Sequence, residues 1–208
     1  MRTTGQIALP LGWPARTERE AFLVTPSNAH AARLLERPTA WSSMTALLVG
    51  PRRSGRSLLG RIFAANTGGT VIDDAERAPE EHLFHAWNRA ETARRPLLLI
   101  AGAAPPTWAV RLPDLRSRLA ASAVATIDPP DDALVRALLE RRFARHGLDA
   151  RPELIDWLLP RLERSHAAVL RAAELLEEAV LATHKRLTVP FARATLAAAG
   201  LIAGTEPA

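Results

Sequence analysis

The chain has 208 residues, enough for one α/β domain with a helical appendage, since a domain of about 150 residues already hides roughly 70% of its unfolded surface. Its 48% hydrophobic and 24% charged content is ordinary for a globular protein, and its charge of +5 is compatible with an acidic partner but reads first as a solvated surface on which Arg replaces Lys, the basic residues being too scattered for a nucleic-acid arm. Zero cysteine excludes a disulfide scaffold and a thiolate metal site, and no apolar run reaches membrane-spanning length, so a cytoplasmic protein is expected.

The N-terminus lacks the charged-then-apolar order of a signal peptide. Met1 to Glu20, with Pro10 and Pro14 and no helical period, reads as an extended arm. Asn28 to Arg37 has helical spacing and is closed by Pro38. Thr45–Val49 is a short apolar run ending in Gly-Pro, as expected of a buried parallel strand. Ser57 to Ala65 reads as a helix with Gly68-Gly69 as its stop. Thr70–Ile72 is a second short strand leading into two aspartates. Glu80 to Arg95 is an amphipathic helix with Leu83, Phe84 and Trp87 on one face. Leu97–Ala101 and Val124–Ile127 complete four strands, and Pro113–Leu119 between them reads as a loop.

This alternation predicts a parallel sheet with helices on both faces. After Pro129-Pro130 the pattern turns all-helical: Asp131–His146, Pro152–Leu162, His166–His184 and Val189–Ala199. The expected organisation is therefore an arm (1–20), an α/β base (21–128) and a helical lid (129–208). His82 and His85 show no ligand spacing and read as surface groups. Trp87 and Trp157 read as core, and Trp13, next to Pro14, and Trp108, two residues after Pro106, as loop residues suited to an interface.

The strongest internal motif is Gly50-Pro51-Arg52-Arg53-Ser54-Gly55-Arg56-Ser57, which has the spacing of a phosphate-binding P-loop between a strand and a helix. There, glycines let backbone N–H groups converge on phosphate oxygens while the helix N-terminus supplies positive potential. The bland alternative is a glycine turn that serves packing alone. The chain's single lysine is Lys185, so a motif lysine is to be sought as arginine. Arg56 is such a case, and guanidinium for ammonium is not conservative in a tight cradle. Asp73 and Asp74 follow the second strand, where carboxylates would face Mg²⁺ and a water.

Gly50–Ser57, Ile72-Asp73-Asp74, Pro113-Asp-Leu-Arg-Ser-Arg-Leu119 and Ile127-Asp-Pro-Pro-Asp-Asp132, in this order, resemble the AAA+ core of the DnaA-like family. Glu163-Arg-Ser165 and Lys185-Arg-Leu-Thr-Val-Pro190 resemble the lids of its Hda-type branch. The resemblance implies ADP or ATP at Gly50–Ser57 with Asp73 and Asp74, and Mg²⁺ through Ser57 and Asp73. It makes Arg118 an arginine finger offered to a nucleotide on a neighbouring molecule. Gln6-Ile7-Ala8-Leu9-Pro10-Leu11 resembles the peptide by which Hda-type proteins bind the sliding clamp: Gln6 would hydrogen-bond, Ile7, Leu9 and Leu11 would supply apolar contact, and Pro10 would stiffen the segment. A disordered leader is the alternative.

The implied partners are the clamp, DnaA and a second copy of the chain, with DNA contacted only indirectly, no membrane, and a place near the nucleoid or replisome. Because the sequence ends at Ala208, where DnaA would add its DNA-binding domain, a regulator is expected rather than the initiator. That regulator would stimulate hydrolysis of DnaA-bound ATP and so restrain re-initiation. The alternatives are an ATP-hydrolysing AAA+ motor or clamp-loader-like protein, a non-catalytic clamp–DnaA adaptor, and a direct nucleic-acid binder.

Four departures bear on the chain's own chemistry. Arg56 stands in the lysine place. Ser57–Val71 is too short to hold the extra strand of relatives, so a reduced sheet is expected. Ala101, Gly102 and Ala103 replace a polar group at a strand end. Ala168 stands near the lid arginine's place, with Arg164 and Arg171 close by. Weak or absent intrinsic ATPase activity follows.

Overall fold

The computed structural model describes residues 22–202. Four parallel strands, β1 (Thr45–Val49), β2 (Thr70–Ile72), β3 (Leu97–Ala101) and β4 (Ala123–Thr126), form one sheet in the order β2-β3-β1-β4. The central strands β1 and β3 are buried along their whole length and, Thr45 apart, apolar, because both faces are covered. Leu47, Val49, Leu97 and Leu99 point to one face, against Leu83, Ala86 and Ala90 of α3 (Glu80–Ala93) and Leu115 and Leu119 of α4 (Pro113–Ala121). Ala46, Leu48, Leu98 and Ile100 point to the other, against Ala31 and Leu35 of α1 (Pro26–Glu36) and Leu59 and Phe63 of α2 (Arg56–Thr67). Alternation along each strand thus builds two cores from one sheet.

Three of the predicted strands have the expected bounds, and the fourth is shifted one residue toward the N-terminus at both ends. The sheet is reduced as expected: α2 and its glycine turn take up the whole stretch between β1 and β2. Gly68 ends α2 in the left-handed region (φ 64), and Gly69 permits a close approach. A Cβ on Gly69 would lie 2.6 Å from the Pro96 carbonyl oxygen and 2.9 Å from the Phe63 ring. Gly69→Ala is therefore expected to lower stability by ~1–3 kcal/mol, read as a lower urea midpoint at unchanged slope. A wild-type midpoint would mean that the β2–β3 edge yields without cost.

Two readings need correction. Pro113–Leu119 is not a loop but most of α4, with Pro113 at the first helical turn, where its missing N–H costs nothing, and Leu115 and Leu119 buried. Its mean apolar character is low, so the short periodic stripe was masked by Asp114, Arg116 and Arg118. Trp108 is not an interface residue either, since it is buried in the α3–α4 core.

Beyond Pro129-Pro130 stand α5 (Asp132–Arg145), α6 (Pro152–Leu158), α7 (His166–Thr183) and α8 (Val189–Ala198), around a separate core that includes Leu139, Phe143, Ile155, Leu158, Leu176 and Leu196. Asp131 joins this lid to the base. Its Oδ1 accepts the Leu134 N–H at 2.8 Å, capping α5, and its Oδ2 accepts the Ser27 N–H of α1 at 3.0 Å. Burial raises its pKa, but these N–H donors and the Thr25 and Ser27 hydroxyls outweigh it and leave the carboxyl below the usual range.

Candidate functional site

The Gly50–Ser57 loop runs from the C-terminal end of β1 into α2. Gly55, at φ 90, is the N-cap of α2, and Arg53, at φ 64, is left-handed as well. The first N–H groups of α2 have no intrahelical acceptors, so the loop offers donors and positive potential to an anion. Ser57 and Arg52 are exposed, and Ser54 is buried.

Arg56 takes another course. It is only 8% exposed, and its Nη1 donates to the Ala101 carbonyl at the end of β3. The guanidinium is thus committed to the C-terminal end of β3. Glu76 sits beside it: its Oε1 accepts the Gly102 N–H at 3.0 Å, while its Oε2 is buried without a partner. Asp73 is exposed and its Oδ1 accepts the Asp74 N–H at 2.9 Å, with Asp74 left-handed at φ 47. Because β3 lies between β1 and β2, the acidic pair stands two strands from the P-loop strand.

A cavity of about 230 Å³ opens where the P-loop meets the lid. Phe22, Leu58, Leu134, Leu138 and Leu170 give it apolar walls, and Arg53, Ser54 and His166, with Arg141, Arg142 and Arg145 of α5, give it polar and cationic ones. Ser54 Oγ and both ring nitrogens of His166 are buried with no hydrogen-bond partner. Across the mouth, Arg53 pairs with Glu174 of α7 at 3.4 Å, and Arg142 holds buried Glu177 through two bonds of 2.7 and 2.8 Å. The orphaned polar atoms and flat apolar walls fit a heteroaromatic base with its first phosphates on the loop backbone. The fit fails at the third phosphate, for which Arg56 is the expected cation. A larger cleft of about 720 Å³, between Gly147–Leu154 and Lys185–Val189, shares no residue with the P-loop.

Burial pushes the His166 imidazole below the ordinary histidine value. The unfolded chain therefore takes up a proton near pH ~6.5 that the native chain refuses. Stability present above that pH is lost as the pH falls toward the depressed native value. Between pH ~7.5 and pH ~5 the urea midpoint of wild type should fall relative to that of His166→Leu. An unchanged gap would show that His166 titrates like an exposed residue.

Arg118 lies half-buried in the second turn of α4. Its Nη1 donates to Asn88 Oδ1 at 2.6 Å, and its Cζ lies 4.5 Å from the Phe84 ring centre and 4.3 Å from that of Trp87. Glu80, at the start of α3, accepts the Arg111 and Leu112 N–H groups at 2.8 and 2.7 Å and so fastens the approach to α4. Those donors lower its pKa. Arg116 is exposed on the same helix.

The structure thus gathers Gly50–Ser57 at one strand end, leaves Asp73 and Asp74 across β3, and sets Arg118 against α3. Gln6, Ile7, Leu9, Pro10 and Leu11, with Trp13, lie outside the described residues. Sequence reasoning missed Glu76, Asn88, His166 and the Arg53–Glu174 bridge. Leu83, Phe84 and Trp87 were read as one face of α3, but Leu83 packs on the sheet while Phe84 and Trp87, with Asn88, face Arg118 of α4. Trp87 and Trp157 are half-buried rather than fully enclosed, each with an arginine on its ring face. His82 and His85 are exposed, and among the described residues no three His, Asp or Glu converge as a metal cage.

Comparison with known proteins bears on the lid and the fold. Residues 131–196 match the family model described as Hda, lid domain. An uncharacterized protein of Haemophilus influenzae is 30% identical over 115 residues, 55% of this chain and 50% of its own. The chain thus spans about half the length of that curated relative. Domain III of the Thermotoga maritima replication initiation protein DnaA superposes with a TM-score of 0.70 at 16% identity, over 89% of this chain and 96% of that one. The AMPPCP-bound DnaA of Aquifex aeolicus gives 0.59 at 16%, over 78% and 64%. The Thermotoga maritima RuvB branch migration motor gives 0.61 at 14%, over 83% and 66%. Residues 131–196 thus match an Hda-type lid, and the described chain shares the fold of domain III of DnaA.

Proposed function

We propose that the chain regulates replication initiation, holding the sliding clamp through Gln6–Leu11 and presenting Arg118 to ATP bound on DnaA. The observation that carries this reading is the joint presence of the Hda-type lid and a guanidinium held in place on the flank of the base. A fixed guanidinium stabilises the charge that develops on a transferring phosphoryl group, and such fingers contribute ~10³–10⁵ in rate. Hydrolysis leaves DnaA with ADP, which restrains a second initiation.

The chain's own nucleotide is held by the Gly50–Ser57 backbone, with its base in the Ser54–His166 cavity and any Mg²⁺ at Ser57 and Asp73. It serves as a structural ligand. With Arg56 committed to Ala101 and no polar side chain at Ala101–Ala103, ADP suits this site better than ATP, and intrinsic turnover is negligible.

The test is hydrolysis of DnaA-bound ATP on clamp-loaded DNA, with wild type, Gln6→Ala and Arg118→Ala compared. Wild type should accelerate hydrolysis, Gln6→Ala should need far more protein for the same rate, and Arg118→Ala should fail at any concentration. An inert wild type sinks the reading. The half-burial of Arg118 favours one second reading, a non-catalytic clamp–DnaA adaptor. Full stimulation by Arg118→Ala would select it.

A further inference from the structure

We propose that Phe84, Trp87 and Asn88 of α3 are positioning residues for Arg118, an inference that rests on reading Arg118 as the finger. The three residues follow i, i+3, i+4 spacing and form one stripe of α3, beside the Leu83–Ala86–Ala90 stripe that packs on the sheet. Arg118 reaches that stripe from α4. Two aromatic faces within 4.5 Å of its Cζ restrict how the guanidinium plane can turn. The 2.6 Å bond to Asn88 Oδ1 fixes its rotation within that plane.

A guanidinium carries five N–H donors, and Asn88 occupies one. The cage orders a long, rotamer-rich side chain before any partner arrives, while donors remain for phosphate oxygens. Trp87 has a buried Nε1 without a partner, so the ring is placed by its face rather than by a hydrogen bond of its own. Glu80 adds the second fastening, tying the chain just ahead of α4 to the start of α3. The finger is thus built as a pair of helices, α4 supplying the guanidinium and α3 setting its direction.

Misplacing a reacting group by about 1 Å can cost ~10²-fold in rate. The experiment titrates the full chain into DnaA-bound ATP on clamp-loaded DNA, separating maximal rate from half-saturating concentration. It uses Asn88→Ala, Trp87→Leu, Asn88→Asp, Arg118→Ala and the Arg118→Ala/Asn88→Ala double variant. Asn88→Ala and Trp87→Leu should lower the maximal rate ~10–10²-fold without moving half-saturation, and Asn88→Asp, which keeps the acceptor, should restore it. The double variant should be no worse than Arg118→Ala alone, because Asn88 acts through Arg118.

An NMR readout needs no hydrolysis. The Arg118 Nε–H resonance should show ring-current displacement in wild type and lose it in Trp87→Leu. Wild-type rates in Asn88→Ala and Trp87→Leu beside a dead Arg118→Ala would overturn the positioning role and leave the finger standing. An additive loss in the double variant, or an undisplaced Arg118 resonance, would also overturn it. A fully active Arg118→Ala would remove the reading beneath it.

Discussion

Arg118→Ala should lower the maximal rate of DnaA-bound ATP hydrolysis about 10³-fold or more while leaving clamp binding intact. The expected size follows from chemistry rather than from loss of fold. Removing the guanidinium forfeits two partly exposed ring contacts, each worth ~0.5–1 kcal/mol, and one hydrogen bond to Asn88. Leu115 and Leu119, which anchor α4, are untouched, so the chain should stay folded with a melting midpoint a few degrees lower. Arg118→Lys should retain the charge but not the planar fork that stacks on Trp87 and meets two oxygens at once, and should fall between wild type and alanine. A tenfold loss or less in the alanine variant would assign Arg118 to packing.

The largest stability effect is expected at Phe143. It is wholly buried in the lid core, and no contact from solvent can replace what its ring makes with the surrounding helices. Phe143→Ala should cost ~3–5 kcal/mol, since the site is enclosed on every side and collapses only in part. Urea denaturation should show the shift, with Leu181→Ala, 63% exposed on α7, remaining within about 0.5 kcal/mol of wild type. The neighbouring Arg142 and Glu177 tie α5 to α7, so a loosened Phe143 also weakens the frame from which Glu174 reaches Arg53. If Phe143→Ala melts as wild type does, the lid core is less tightly packed than its burial implies.

Much of the base was legible because its strands are short apolar runs closed by Gly or Pro, as at Val49-Gly50-Pro51. The lid was legible because Pro129-Pro130 and Asp131 announce a boundary and a helix start. α4 was not. Nine residues with three charges and a proline give too weak a period, and only its packing on α3 and the sheet fixes it as helix. The P-loop spacing was plain, yet the direction of Arg56 was not, since a sequence says which side chain occupies a motif but not which acceptor wins it. Glu76, Asn88 and His166 were missed for the same reason: the first two gain meaning from partners 26 and 30 positions away, and the third from burial against another element. Only Phe84 and Trp87, read as part of an amphipathic face, were marked beforehand.

Asp131 has one oxygen on a base N–H and the other on a lid N–H. A carboxylate shared in this way works as a rivet through the seam between the two parts. For the lid to swing wide, one oxygen must first be stripped from its donor, so opening proceeds as a discrete release with a threshold instead of a gradual drift. The angle at which the lid meets the P-loop is accordingly set by the junction itself, before any guest arrives to be clasped.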